Sequence, residues 1–143
     1  MSMDKIVKAQ LSFYNKISEL IATANDAESI STALYEIIEG YIEVPHSALF
    51  LWDPKDAKLK VYGSRGFTEE ELVEVESTAL ERHPGWVFKN RKPLHIPDMD
   101  QEGVPSYITS SKRSFKVKSR LWVPITTSER SLGAFGFASQ ELN

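Results

Sequence analysis

The side chains that most often do chemistry are few and scattered in this chain of 143 residues. It has no cysteine, which excludes disulfides, thiolate zinc sites, thioether-linked cofactors and a cysteine nucleophile. The three histidines, His46, His83 and His95, are far apart and fall in different predicted elements. No Gly-x-Ser-x-Gly turn and no phosphate-binding glycine loop is present, so a serine nucleophile has no sequence support. The residue types favour binding over catalysis.

Residues 98–103 resemble the start of a calcium-binding loop, with oxygen-bearing side chains at alternate positions and glycine at the sixth. Such a loop needs a bidentate glutamate at its twelfth position, and that position is Thr109. We therefore expect no high-affinity calcium site here, and we predict no other metal site.

Charge and hydropathy exclude two classes of partner. With 17 basic and 20 acidic side chains the net charge is -3, which gives no long-range attraction for a phosphate backbone, so we expect no nucleic-acid partner. No uncharged run approaches the ~18 residues of a spanning helix, and no apolar signal core follows Met1. We expect a cytoplasmic protein of one domain, with no membrane partner.

The first third of the chain is predicted to form two helices. From Asp4 to about Ala24 the apolar residues make a stripe wider than one core-facing side requires. The stripe alone fits equally well a helix that pairs with a second copy and a terminal helix with exposed aromatic residues. Of these two, we expect a homodimer through this helix. A second helix is predicted to begin at Asn25, which serves as N-cap with Glu28 at position N3, and to end at Gly40.

Two strands and a third helix follow. Residues 47–52 are continuously apolar, as in a central strand covered on both faces, and residues 58–64 alternate. Thr68 with the acidic residues after it predicts a helix N-terminus. That helix has few apolar residues, so we expect it to lie on the surface and to be weakly held.

The second half of the chain is predicted to be loop-rich until its end. Residues 84–88 indicate a short helical turn, and residues 92–98 an edge strand, because two prolines interrupt them. The aromatic residues Trp86, Phe88 and Tyr107 favour a structured lid over residues 81–119. Residues 119–125 and 132–138 then predict two antiparallel strands joined by a polar turn.

The order of these elements resembles that of GAF domains, which are small-molecule sensing modules of signalling proteins. The motifs that carry the resemblance are Gly85-Trp86, residues 93–98, residues 119–125 and Leu132-Gly133. The resemblance covers nearly the whole chain, 1–143, and implies an α+β fold. A central antiparallel sheet of five or six strands would carry the N-terminal helices on one face and a lid on the other. The long C-terminal helix usual in the family is absent after Ser139.

The resemblance also implies a ligand pocket between the sheet and the lid. The residues we expect to bind the ligand are Tyr62, Ser64, Arg65, Trp86, His95, Arg120 and Trp122. The alternative is that Trp86 and Trp122 fill the core, as large rings often do. Which side chains of the last hairpin share a face depends on a pairing register that the sequence does not fix.

The function implied is that of a regulatory, non-catalytic sensor from a bacterial-type signalling protein, such as a histidine kinase, which binds a small molecule and acts on an output domain. The alternative is a structural dimerisation module whose pocket is self-filled. GAF-like enzymes that reduce free methionine sulfoxide need cysteines, as does covalent bilin attachment. The cyclic-nucleotide signature fails at Asn90, which is followed by Arg91. Haem would need His83 or His95 as ligand, and no cofactor is assigned.

Overall fold

The computed structural model describes residues 3–23, 26–43, 45–100 and 117–141. The chain forms two compact units, residues 1–43 and 44–143, which we call the helical unit and the sheet unit. The predicted lid residue Tyr107 lies outside the described residues. No described helix is long and apolar enough to cross a membrane.

The helical unit contains helix α1, Met3–Thr23, and helix α2, Ala27–Glu39. The two helices contact each other through Tyr41, just after α2. Its ring meets Phe13 edge-on with centroids 5.5 Å apart, and its hydroxyl donates to Ser12 Oγ at 2.8 Å. The N-cap of α2 is Asp26, one residue later than the predicted Asn25, which lies outside the described residues. The Asp26 carboxylate accepts a hydrogen bond from the Ser29 backbone N–H at 2.7 Å, as an N-cap does.

The sheet unit is built on five antiparallel strands in the order β2-β1-β5-β4-β3. The strands are β1 Ser47–Asp53, β2 Lys58–Arg65, β3 Leu94–Ile96, β4 Ser119–Thr126 and β5 Ser131–Ser139. This confirms the predicted α+β fold with a central antiparallel sheet. The apolar strand β1 lies inside the sheet between β2 and β5. Strand β3 lies at an edge, where the prolines on either side of it can be tolerated.

One face of the sheet carries the core cluster that is shared with helices of the sheet unit, and we call it the covered face. Leu49 and Phe135, which pair with each other on the opposite face, are buried as well. Helix α3, Glu69–Thr78, the 3₁₀ turn Ala79–Glu81 and helix α4, His83–Asn90, pack on it. The buried residues of this core come from strands and helices alike: Ala48, Phe50, Leu59, Trp122 and Ala134 with Val75, Ala79 and Val87. Helix α4 is fixed at both ends. Gly85 lies so close to the Leu80 carbonyl that any side chain would overlap it, and Arg91 Nη2 donates to the Thr127 carbonyl at 2.6 Å.

Helix α3 begins with a complete capping box. Thr68 Oγ1 accepts from the Glu71 N–H at 3.2 Å, and Glu71 Oε1 accepts from the Thr68 N–H at 3.0 Å. The capping box supplies acceptors for two backbone N–H groups that have no hydrogen-bond partner within the helix. Glu71, Val75 and Ala79, spaced four residues apart, are buried. Both the cap and the packing of these residues therefore hold a helix that has few apolar side chains.

We predict that Thr68→Ala lowers the free energy of unfolding by about 1 kcal/mol, because the Glu71 N–H loses its acceptor. Urea denaturation followed by circular dichroism measures the change. Thr68→Ser keeps the hydroxyl and is the matched control, expected to retain most of the stability. Equal losses in the two variants would contradict a capping role for this side chain.

Candidate functional site

The pairing register divides the covered face into an apolar end and a polar end. Residues paired across neighbouring strands share a face of the sheet. One cross-strand row consists of Ser64, Ala48, Gly136, Trp122 and Leu94. The next row consists of Ala138, Arg120 and Ile96. These two rows form the polar end of the covered face, where polar side chains stand around small residues.

The structure brings three of the predicted ligand-binding residues together on this face: Ser64, Arg120 and Trp122. Arg120 and Trp122 are two residues apart on β4, so their Cα atoms are about 6.5 Å apart along the strand. Arg120 is half-buried, and its Nε is shut off from solvent. Ser64 lies three strands away from Trp122 in the same row, with only Ala48 and Gly136 between them.

Arg65 and His95 lie on the opposite face of the sheet from Ser64 and Trp122, so the structure does not bring them together with these residues, and a binding role for either stays a prediction. Arg65 pairs with Ser47, and His95 pairs with Leu121. Phe137 pairs with both Ser47 and Leu121. Arg65 and His95 therefore belong to one cross-strand row. The physical reason is the alternation of side chains along a strand, which separates Arg65 from Ser64 and His95 from the residues beside it.

Tyr62 and Trp86 are exposed aromatic residues of the sheet unit. Tyr62 is the additional residue of a β-bulge in β2, because Gly63 pairs with Leu49 while Val61 pairs with Phe50. Tyr62 is 36 % exposed, and Trp86 on α4 is 39 % exposed. Neither side chain is enclosed as a pocket residue would be, and a binding role for either stays a prediction.

Trp122 is the central side chain of the polar end. It is only 6 % exposed, and its ring lies so close to Gly136 that a Cβ there would overlap the six-membered ring. The ring also packs beside Phe50, with centroids 5.8 Å apart. The indole Nε1–H is buried and has no hydrogen-bond acceptor among the residues that the structure describes. A buried hydrogen-bond donor without an acceptor is uncommon in folded proteins and requires an explanation.

His46 belongs to the polar end, and the sequence analysis did not predict it. The Ala138 N–H donates to the His46 carbonyl at 2.8 Å, so the pairing of β1 with β5 continues to this residue. Alternation then places His46 on the face of Ala48. The imidazole is 2 % exposed and packs on Phe67 with ring centroids 4.1 Å apart. The sequence signal that could have identified His46 is its position two residues before Ala48, because residues two apart on a strand share a face.

Glu71 is the second residue that the sequence analysis missed. It is 6 % exposed, and only its Oε1 is used by the capping box. Its Oε2 is buried and accepts no hydrogen bond from the described residues. The spacing of Glu71, Val75 and Ala79 is the helical period that turns all three toward the core. This spacing was visible in the sequence, but a glutamate among other glutamates suggested a solvated face.

The donor set fits a binding site better than a metal or haem centre. Within the described parts of the chain, no group of three or more His, Cys, Asp and Glu side chains could hold a metal ion. The two haem-ligand candidates do not come together: His83 is buried at the start of α4, while His95 is exposed on β3. The polar end offers an indole N–H, a guanidinium, a hydroxyl and an imidazole.

Comparison with known proteins gives the family. The profile described as "GAF domain" matches residues 26–142, and the chain belongs to the GAF family. No curated protein matches the chain. The GAF domain of a phosphoenolpyruvate-protein phosphotransferase from Coxiella burnetii has a similar structure, with a TM-score of 0.71 at 14% identity over 94% of this chain and 79% of that chain.

Two further structures show how widely this fold is used. One is a domain of a protein described as a two-component sensor histidine kinase from Sinorhizobium meliloti 1021, with a TM-score of 0.64 at 18% identity over 84% of this chain and 77% of that one. The other is free methionine-R-sulfoxide reductase from Neisseria meningitidis in complex with its substrate, with a TM-score of 0.70 at 15% identity over 99% and 79%. At these identities the likeness shows the fold alone.

We predict that Gly136 and Trp122 are energetically coupled. Gly136→Ala is expected to cost about 1–3 kcal/mol, because the new methyl group forces the ring away. Trp122→Ala alone is expected to cost about 3–5 kcal/mol. In the double variant the methyl group no longer meets a ring, so the total loss falls below the sum by more than about 0.5 kcal/mol. Urea denaturation of the four proteins measures the cycle.

Gly40→Ala is the matched control for this cycle. Gly40 has φ -73° and its Cβ would make only ordinary contacts, so the substitution is expected to leave stability unchanged or raise it by about 0.4–1 kcal/mol. If the losses of Gly136→Ala and Trp122→Ala simply add, the contact does not constrain the ring.

Proposed function

We propose that this GAF domain is a regulatory, non-catalytic sensor that binds a small molecule at the polar end of its covered face. The observation that carries the proposal is the set of buried polar groups there, above all the Trp122 Nε1–H without an acceptor among the described residues. Ligand sites in proteins are enclosed and largely apolar, with a few convergent polar groups. The core residues Phe50 and Val87 beside these groups supply the apolar part.

We further propose that the domain passes ligand binding to an output domain of a signalling protein, as expected from the sequence. The absence of cysteine supports a non-catalytic role, because the sulfoxide-reducing enzymes of this fold depend on cysteines. The cytoplasmic location expected from the sequence stays a prediction.

A structural module with a self-filled pocket is the second candidate, and one observation favours it. The Trp122 ring occupies the space above Gly136 and contacts Phe50, as a side chain that fills its own cavity would. The two candidates differ in what happens to the indole N–H. A self-filled pocket leaves it without a ligand acceptor, whereas a sensor supplies that acceptor from the ligand.

We predict that the full chain purified from cells carries, or takes up from a metabolite extract, a non-covalently bound small molecule. Native mass spectrometry measures the added mass, and denaturation should release it. Trp122→Phe removes the N–H but keeps a ring, and it is expected to weaken retention at least tenfold, about 1.4 kcal/mol. Trp52→Phe, at a ring that stacks on Phe88 with centroids 5.2 Å apart and is not among the predicted ligand-binding residues, is the matched control and should retain the ligand. Absence of any bound molecule in every extract would leave the self-filled module as the function.

We also propose that α1 mediates a homodimer. Met3, Val7, Leu11 and Tyr14 form a second apolar stripe on α1 beside the one that meets α2, and their side chains are exposed, Leu11 by 57 % and Tyr14 by 62 %. The stripe runs for about 16 Å along the helix. A two-fold dimer places the same surface of both copies in contact, so a stripe on one helix can bury itself against its own copy.

We predict that Leu11→Glu converts the dimer to a monomer, because it puts a charge in the centre of the stripe. Size-exclusion chromatography with light scattering at high protein concentration gives the mass. Lys5→Glu places a negative charge on the side of α1 away from the stripe, at an exposed residue, and should leave the dimer intact. A wild-type protein that is monomeric under these conditions would remove the proposal.

A further inference from the structure

Helices α3 and α4 pack on the same face of the sheet, but they are not held equally well. In α3 two of ten residues are buried, and one of these is the charged Glu71. In α4 four of eight residues are buried. Helix α3 packs chiefly on β2, whereas α4 packs on β4 and β5. Elements with few buried apolar side chains open locally while the rest of a fold stays closed.

The Glu76 side chain joins α3 to the edge strand β2. Its Oε2 accepts the Val61 backbone N–H at 3.0 Å, and its Oε1 lies 3.5 Å from Lys58 Nζ. The bond to Val61 is charge-assisted, because its acceptor is a carboxylate, whereas a partly exposed ion pair such as that with Lys58 contributes little. A longer contact, 3.8 Å between Arg82 Nη2 and Glu74 Oε1, joins α3 to the start of α4 instead of the sheet.

The chain is anchored just before α3 and just after it. Before the helix, Phe67 packs on His46 with ring centroids 4.1 Å apart. After it, the Ala79–Glu81 turn leads to α4, which Gly85 and Arg91 fix in place. The capping box belongs to the segment between these anchors. Movement of α3 away from β2 therefore breaks the bond between Glu76 and Val61 while the contacts of α4 remain.

We propose that α3 is a gate to the layer between the sheet and its helices, and that Glu76 is the latch of this gate. The Trp122 Nε1–H at the polar end is closed to solvent, so a ligand reaches it only after a covering element moves. Helix α3 follows Ser64, the β2 residue of the polar end, after a short turn. Use of the gate by a ligand rests on the proposed sensory function, whereas the opening itself does not.

Hydrogen exchange followed by NMR on the full chain, without any ligand, tests the gate. A helix of ten residues is not stable by itself, so an open α3 exchanges its own amides together with that of Val61. We expect residues 72–78 of α3 to be protected at least about tenfold less than residues 86–90 of α4. Glu76→Ala is expected to speed exchange of residues 72–78 at least about fivefold and to leave α4 unchanged.

The intrinsic preferences of the helix make this substitution specific. A glutamate in the last turn of a helix is unfavourable to the helix dipole, and alanine favours helices more than glutamate does. Both effects of Glu76→Ala would slow exchange, so faster exchange reports the lost latch. Glu76→Gln keeps an oxygen acceptor for Val61 and should lie between Glu76→Ala and the wild type. Glu70→Ala, at an exposed residue of the same helix, is the matched control and should change exchange by less than about threefold.

Three outcomes overturn the inference without touching the proposed sensor. Equal protection of α3 and α4 in the wild type means that the two helices open together and removes the gate. Unchanged exchange of residues 72–78 in Glu76→Ala removes the latch. Exchange that accelerates equally in α3 and α4 of that variant shows a loss of global stability instead of a released latch. Conversely, a chain that carries no ligand in native mass spectrometry but shows the expected exchange supports the gate and contradicts the sensor.

Discussion

The contact between the Trp122 ring and the bare backbone of Gly136 is the constraint on which the covered face depends. Gly136 pairs with Ala48 on one side and with Trp122 on the other, so the ring crosses from β4 toward the centre of the sheet. A side chain at position 136 would prevent this. Because the ring lies there, it meets Phe50 and places its N–H in the enclosed layer. The packing of this face and the ligand binding that we propose for it thus use the same side chain.

The elements of the fold could be predicted from the sequence, because hydrophobic period and turn residues are local signals. The alternation of 58–64, Thr68 before its glutamates and the two prolines around Leu94 each predicted the element that the structure shows. The faces of the site residues could not be predicted in the same way. Pairing register is a long-range property, and a shift by one residue inverts a strand. This is why Arg65 and His95 were expected beside Ser64 and Trp122 but lie on the opposite face.

The buried polar groups carry a cost that a purely structural core would avoid. An unsatisfied buried donor or acceptor costs roughly 1–3 kcal/mol, and an apolar residue at position 71 or 122 would pack without that cost. Glu71 offsets part of it through the capping box, since Oε1 is satisfied there. The second oxygen of Glu71, Oε2, and the indole N–H of Trp122 still have no hydrogen-bond partner among the described residues. The ligand that we propose at the polar end would recover part of this stability deficit by accepting from the indole N–H.

Neither edge of the sheet is suited to pairing with a strand of another protein. At the β2 edge, Glu76 Oε2 accepts the Val61 N–H at 3.0 Å beside the bulge, and Lys58 pairs with the same carboxylate at 3.5 Å. At the other edge β3 has only three residues, and Pro93 and Pro97 next to it lack the N–H that a neighbouring strand would need. Bulges, charges and prolines are the usual means by which sheet edges avoid adding strands. Within the described residues, the exposed apolar stripe of α1 is therefore better suited to a protein partner than either edge of the sheet.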